Sequence, residues 1–339
     1  MKVYKDIFSK IISLDNIFNA WEKFKSDKRN KRDVQRFEWH LEQNIFQLHR
    51  DLKSKMYKHK GYFSFYIHDP KQRHIHKATV RDRVLHHAVF NILNPILEPT
   101  FIYSSFSCRI DKGTHKGIEA LRVATRKVSS NGFKPCFILK CDIEKFFASV
   151  NHQILLDIIR EKIKDDDAIW LLREIIRSFP NGVPIGNLTS QLFANVYLNK
   201  LDYFVKHDLR VEFYFRYTDD FVIVSNNRKY LENVLYLIKF FLDTLSLQLH
   251  SNKITIRKLH QGIDFLGYVS FPHYSLLRTK TKQRIIRKMN SKVRDYKEGG
   301  VTKEKLEQSL QSYLGVLSHA DTYDFANELK NKLWFWLND

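Results

Sequence analysis

Two stretches near the start of the chain, 6–25 and 33–57, carry apolar side chains at helical spacing between solvated charges, with the basic run Ser26–Arg32 between them. The pattern predicts two surface helices. The period then changes: Gly61-Tyr-Phe-Ser-Phe-Tyr-Ile67 alternates as a strand does, Asp69-Pro70 turns the chain, and Arg73-His-Ile-His-Lys77 returns. A basic hairpin is expected there. Asp82 to Leu93 is helical in spacing and is predicted to end before Pro95.

From Phe137 the order of elements changes. Phe137-Ile-Leu-Lys-Cys-Asp142 reads as a strand, Asn151 caps a helix running to Lys162, and a second helix is expected near Ala168 to Arg177. Pro180 to Gly186 is a loop and Asn187 to Val205 a helix. Val211 to Tyr217 and Phe221 to Val224 are rich in aromatic and β-branched residues, so the polar step between them is a hairpin turn holding Asp219 and Asp220. A helix from Lys229 to Leu245 and strands at Lys253 to Lys258 and Ile263 to Phe271 follow. Without the inserted helices this is β-α-β-β-α-β, a ferredoxin-like sheet with both acidic strand ends on one edge. Beyond Pro272 the chain is helical, broken at Gly299-Gly300.

Composition narrows the class. With 43% apolar residues over 339 positions the chain has material for two or three packed subdomains, which argues against disorder. No apolar run reaches the length of a membrane span, and Met1-Lys-Val-Tyr-Lys-Asp6 lacks the apolar core of a secretory signal, so cytoplasmic residence is expected. Lys and Arg outnumber Asp and Glu by 57 to 37, a formal charge of +20, which attracts a polyanion such as nucleic acid. The stretch Arg278 to Lys297 holds nine of those cations against Asp295 alone. Cys108, Cys136 and Cys141 form no C-x-x-C pair and read as reduced thiols. His74-Ile-His76 and His86-His87 have no acidic or cysteine partner at ligand spacing and read as polar or phosphate-facing residues.

Asp142, Asp219 and Asp220 carry the chemistry. Each follows or precedes an apolar strand run, where an unpaired carboxylate would cost several kcal/mol. An isolated Asp-Asp pair is usually an ordinary polar turn, but a third strand-end acid upstream changes the reading. Hard oxygen ligands on two strands suit Mg²⁺, and a pair of such ions roughly 3.5 to 4 Å apart activates an attacking hydroxyl and stabilises departing pyrophosphate.

With Tyr217 ahead of the pair, the chain resembles the reverse transcriptases, whose first acidic motif and Tyr-x-Asp-Asp box match these positions. The resemblance implies an α+β right-hand polymerase: fingers in 1–134, a ferredoxin-like palm in 135–272 and a helical thumb in 273–339. It implies two Mg²⁺ on Asp142, Asp219 and Asp220, with Lys253 as the general acid for pyrophosphate. Lys71 and Arg73 would reach the triphosphate, Arg109 matches a further fingers motif, and Phe147 is the steric gate that selects deoxynucleotides. Phe265-Leu-Gly267-Tyr268 resembles a primer grip. In Gly182-Val-Pro-Ile185-Gly186-Asn-Leu-Thr-Ser190-Gln191 the chain departs from most bacterial members, which carry Gln and Pro where Ile185 and Gln191 stand. That departure resembles diversity-generating retroelement reverse transcriptases, as do Phe18 to Lys23, Asp69-Pro70-Lys71 and Gly113-Thr-His115. Losing the amide removes a hydrogen bond of about 0.5 to 1.5 kcal/mol, so lower fidelity is the expected direction, and the resemblance implies that the errors fall mainly opposite template adenines. The partners so implied are a template RNA and its RNA/DNA duplex, dNTPs and a basic oligomeric accessory protein, without a membrane. The alternatives are retron, phage-defence or group II intron-like enzymes, or a noncatalytic RNA-binding scaffold on the same fold.

Overall fold

The computed structural model describes residues 2–69 and 71–338, so Pro70 of the expected turn lies outside the described residues. Four helices open the chain where two were expected: α1 (Ile7–Ile12), α2 (Leu14–Lys25), α3 (Arg32–Trp39) and α4 (Leu41–Lys53). The first break is at Ser13, whose hydroxyl caps α2 by accepting from the Asn16 N–H at 3.3 Å. Each of α2, α3 and α4 buries one face and leaves the other to solvent, as the pattern predicted. Ile11, Ile17, Trp21, Ile45 and Leu48 are all fully buried in the main core. Their spacing predicted helices but could not reveal how deeply one face packs.

The expected hairpin forms from β1 (Phe63–Ile67) and β2 (Arg73–Lys77), antiparallel with Ile67 opposite Arg73. Next comes α5 (Val80–Leu97), capped by the Thr79 hydroxyl and running through Pro95 where the sequence predicted an end. At Pro95 the helix forgoes the backbone bond to the Asn91 carbonyl, and it ends two residues later. A loop leads to α6 (Thr114–Val128).

β3 (Phe137–Asp142) starts the central sheet and is followed by α7 (Phe146–Ser149), α8 (His152–Arg160), α9 (Asp166–Ile176) and α10 (Leu188–Tyr203). Asn151 caps α8 as predicted, accepting from the N–H groups of Gln153 and Ile154. Then come β4 (Phe213–Tyr217), β5 (Asp220–Ser225), α11 (Arg228–Thr244) and β6 (Thr255–Lys258). The sheet order is β4-β5-β3-β6 with every neighbouring pair antiparallel, which is the βαββαβ arrangement read from the sequence. Lys253 is not on the strand where it was expected; it closes a 3₁₀ turn over Ser251–Lys253 just before it.

The strand predicted over 263–271 is two. β7 (Ile263–Phe265) and β8 (Tyr268–Ser270) form a hairpin, because Leu266 and Gly267 both take positive φ, 52° and 93°, and reverse the chain. With β9 (Ser275–Leu277) they make a separate three-stranded sheet. α12 (Thr279–Lys297), α13 (Lys303–Leu317) and α14 (Tyr323–Asn338) close the chain, and Ile285, Met289, Leu306 and Leu329 join this sheet in a second apolar core. Among the described residues no helix is long and apolar enough to cross a membrane.

Candidate active site

Side chains along β3 and β5 alternate between two cores, Leu139, Cys141, Phe221 and Ile223 entering the main one and Ile138, Val222 and Val224 the second, and the two acids stand half-buried at the strand ends. Asp142 and Asp220 are direct cross-strand partners, a register that sets their Cβ atoms about 4.5 to 5.5 Å apart. Asp219 occupies the adjoining turn, and its carbonyl accepts from the Ile143 N–H at 3.0 Å. Residues 142, 219 and 220 therefore meet at one sheet edge, as their sequence pattern predicted.

The turn is built on strain. Thr218 sits at φ 54°, a left-handed conformation that costs a residue with a side chain about 1 to 2 kcal/mol. Two contacts hold it: its hydroxyl donates to Ser107 Oγ at 2.6 Å, and Arg216 Nη1 donates to its carbonyl at 3.1 Å. Arg216 is fully buried and forks onto Asp202, Nε to Oδ1 at 2.7 Å and Nη2 to Oδ2 at 2.6 Å. Tyr214 donates to Asp202 Oδ1 at 2.8 Å, and Arg216 Nη2 also reaches Ser105 Oγ at 3.0 Å. Sequence reading missed Arg216, Asp202, Ser105 and Ser107, whose partners lie far apart in the chain.

Two ammonium groups bracket the acids. Lys253 donates to Asp142 Oδ1 at 2.6 Å, placed there because the His250 N–H bonds the Asp142 carbonyl at 2.8 Å. Lys140, unnoticed in the sequence, lies 3.4 Å from Asp220 Oδ2 and donates to the Asp264 carbonyl at 2.6 Å. Burial pushes Asp220 up to about 6, with the Asp142 charge adding to the shift and Lys140 opposing it. Burial also raises Asp219, whose carboxyl feels Asp142 as well as Lys253 and Arg73.

Among the described residues no three His, Cys, Asp or Glu side chains form a ready-made metal cage. The acids nevertheless fit a hard divalent cation: Asp220 Oδ1 is buried without a hydrogen-bond partner, and both raised carboxyls gain from added positive charge.

The other predicted residues divide. Phe147 on α7 is half-buried, and its carbonyl accepts from the Val183 N–H at 2.7 Å. Gly182 is required there, since a Cβ would stand 2.1 Å from that oxygen. Ile185 and Gly186 lie against the β1–β2 hairpin: the Ile185 carbonyl accepts from the His76 N–H at 2.9 Å, and a Cβ on Gly186 would meet Ile75 at 2.7 Å. Ser190 is buried on α10, Gln191 is exposed, and Tyr217 is half-buried opposite Asp220. Lys71 and Arg73 are exposed on the hairpin. Arg109 is committed inside the protein, donating to Glu98 Oε1 at 2.7 Å and to the Ile102 and Ser105 carbonyls at 2.6 and 2.9 Å. With those bonds formed it braces the loop that carries Ser105 and Ser107.

Three carboxylates thus stand together at one end of a βαββαβ sheet. The profile of one family, described as Reverse transcriptase (RNA-dependent DNA polymerase), matches residues 59–270. The chain belongs to that family. It is 24% identical over 242 residues to protein YkfC of Escherichia coli K12, covering 58% of this chain and 63% of that one. Over 177 residues it is 27% identical to the group II intron-encoded protein LtrA of Lactococcus lactis subsp. cremoris, 48% of this chain and 28% of that one. An uncharacterized 91 kDa protein in a cob intron of Schizosaccharomyces pombe is 31% identical over 144 residues, 39% and 17% of the two chains. The matches thus span less than two thirds of each of these relatives.

Proposed function

We propose that the protein is an RNA-directed DNA polymerase with fingers in residues 1–134, a palm in 135–272 and a thumb in 273–339. The observation that carries this reading is the cross-strand pairing of Asp142 with Asp220 beside Asp219. These three carboxylates would hold Mg²⁺. Bound there, the metal would supply a lowered pKa for the primer 3′-hydroxyl and charge neutralisation for leaving pyrophosphate.

The chain's own residues do the rest. Lys253, beside Asp142, carries a proton at Nζ for the leaving group. Arg73, whose charge reaches Asp219, and Lys71 in the turn of the same hairpin hold triphosphate oxygens. Phe147, fixed against Gly182 and Val183, excludes a 2′-hydroxyl, and Ile185 lies where the nucleotide meets the templating base. The +20 charge supports binding of RNA template and RNA/DNA duplex.

Within the family we assign the chain to the diversity-generating retroelement group, with low fidelity at template adenines. The support is Ile185-Gly186 followed by Ser190-Gln191. A structured template RNA and a basic oligomeric accessory protein belong to that assignment. The likeness to LtrA favours a second reading, a group II intron-like enzyme. Primer extension on an RNA template with Mg²⁺ and dNTPs, followed by product sequencing, separates them. Errors gathered at adenines and reduced by Ile185→Gln support the first; uniform errors unmoved by that change support the second; no extension defeats both.

A further inference from the structure

The hairpin and α12 meet through a pair of opposites. Between residues 60 and 81 Asp69 is the only acid, and it lies at the tip of the otherwise basic β1–β2 hairpin. On α12, Ile285, Met289 and Val293 face the second core. Arg284 and Lys288 stand one turn apart on another face, with Arg287 beside them. Lys288 Nζ pairs with Asp69 Oδ2. The Lys288 bond, with the charges of Arg284 and Arg287 adding to it, holds the Asp69 carboxyl below its ordinary range.

Lys288 in contact with that carboxylate, with Arg284 and Arg287 on the same stretch of helix, makes a cationic patch suited to a tetrahedral oxyanion, and a chain of charge +20 in this family meets that anion as nucleic-acid backbone. We propose that Arg284, Arg287 and Lys288 bind a backbone phosphate of the RNA/DNA duplex, and that Asp69 is an internal substitute for that phosphate, drawing the hairpin onto α12 until a duplex displaces it. The proposal deepens the polymerase reading and rests on it. Its consequence is a coupling: the hairpin that leaves α12 is the one bearing Lys71 and Arg73, so duplex binding resets the residues assigned to the triphosphate.

The test uses the full chain in EDTA, so that chemistry plays no part, with a labelled RNA/DNA hybrid of about 20 base pairs, two helical turns, and anisotropy over a salt series. Asp69→Asn should bind the hybrid about two- to fivefold more tightly at low salt, the gain fading as salt screens the pair. Lys288→Gln should bind more weakly, and adding Asp69→Asn to it should change little, since the two act on one contact. Wild-type affinity for Asp69→Asn at every salt, or effects of the two changes that simply add, would overturn the proposal. Primer extension on the same preparations keeps the questions apart. Active wild-type enzyme with an unaltered Asp69→Asn affinity removes the phosphate site alone, whereas inactive enzyme with tightened binding keeps the site and removes the polymerase.

Discussion

Asp202→Asn tests how the acidic turn is held. The substitution keeps the shape of the side chain and removes its charge, leaving the Arg216 guanidinium fully buried without a counter-ion. Burial alone would push Arg216 down, and Asp202, bonded to it twice and also to Tyr214, more than restores it. Breaking one member of such a pair costs about 3 to 5 kcal/mol. Urea unfolding should therefore show an unchanged slope and a midpoint lowered by that energy divided by the slope. The pair Asp202→Leu with Arg216→Met should recover most of the loss, because apolar isosteres often replace a buried ion pair without penalty. Primer extension should stay depressed in that repaired protein, since the Arg216 bond to the Thr218 carbonyl is gone. A loss below about 1 kcal/mol for Asp202→Asn, or full activity in the repaired protein, would refute the claim that this network sets the turn.

Two further outcomes are expected. Gly182→Ala places a Cβ on the Phe147 carbonyl at φ 67°; the left-handed backbone alone should cost about 1 to 2 kcal/mol, read by thermal unfolding, and the displaced ring should relax discrimination against ribonucleotides. Burial, with Lys28, Lys23 and Arg83 adding to it, depresses His87 to about 4, and burial likewise keeps His86 neutral. Above the ordinary histidine value near 6.5 these groups contribute no pH dependence. As pH falls from about 6.5 toward 4 the unfolded chain takes protons the native one refuses, so stability should decline by at most about 1.4 kcal/mol per pH unit for each. His87→Gln should flatten that slope; an unchanged slope would show that His87 is protonated in the fold.

The part of the site borne by strands was legible because aromatic and β-branched runs announce strands and Asp142, Asp219 and Asp220 stand at their ends. Sheet order followed from the alternation of elements. Contacts between distant segments were hidden. Nothing in the sequence ties Asp202 to Arg216, or the Ser105 and Ser107 hydroxyls to the turn, because those pairings exist only once α10 and β4 are packed. Lys140 looked like an ordinary outward strand residue until β5 brought Asp220 beside it. Leu266 was misread for a local reason: a leucine at positive φ is rare, so Leu266-Gly267 did not register as a reversal. Helical spacing in the first 57 residues fixed the faces of the helices, while their burial depended on what packs against them.

In the proposed polymerase the carboxylates of Asp142, Asp219 and Asp220 act together on magnesium to join deoxynucleotides along RNA. Primer extension by the wild-type chain and by Asp219→Asn, each titrated with Mg²⁺ on one RNA template, tests this joint action most directly. Templated extension by the wild type should saturate with Mg²⁺, and Asp219→Asn should lose at least about a thousandfold in rate with template binding retained. Extension by Asp219→Asn within tenfold of wild type, or wild-type extension indifferent to Mg²⁺, would contradict it.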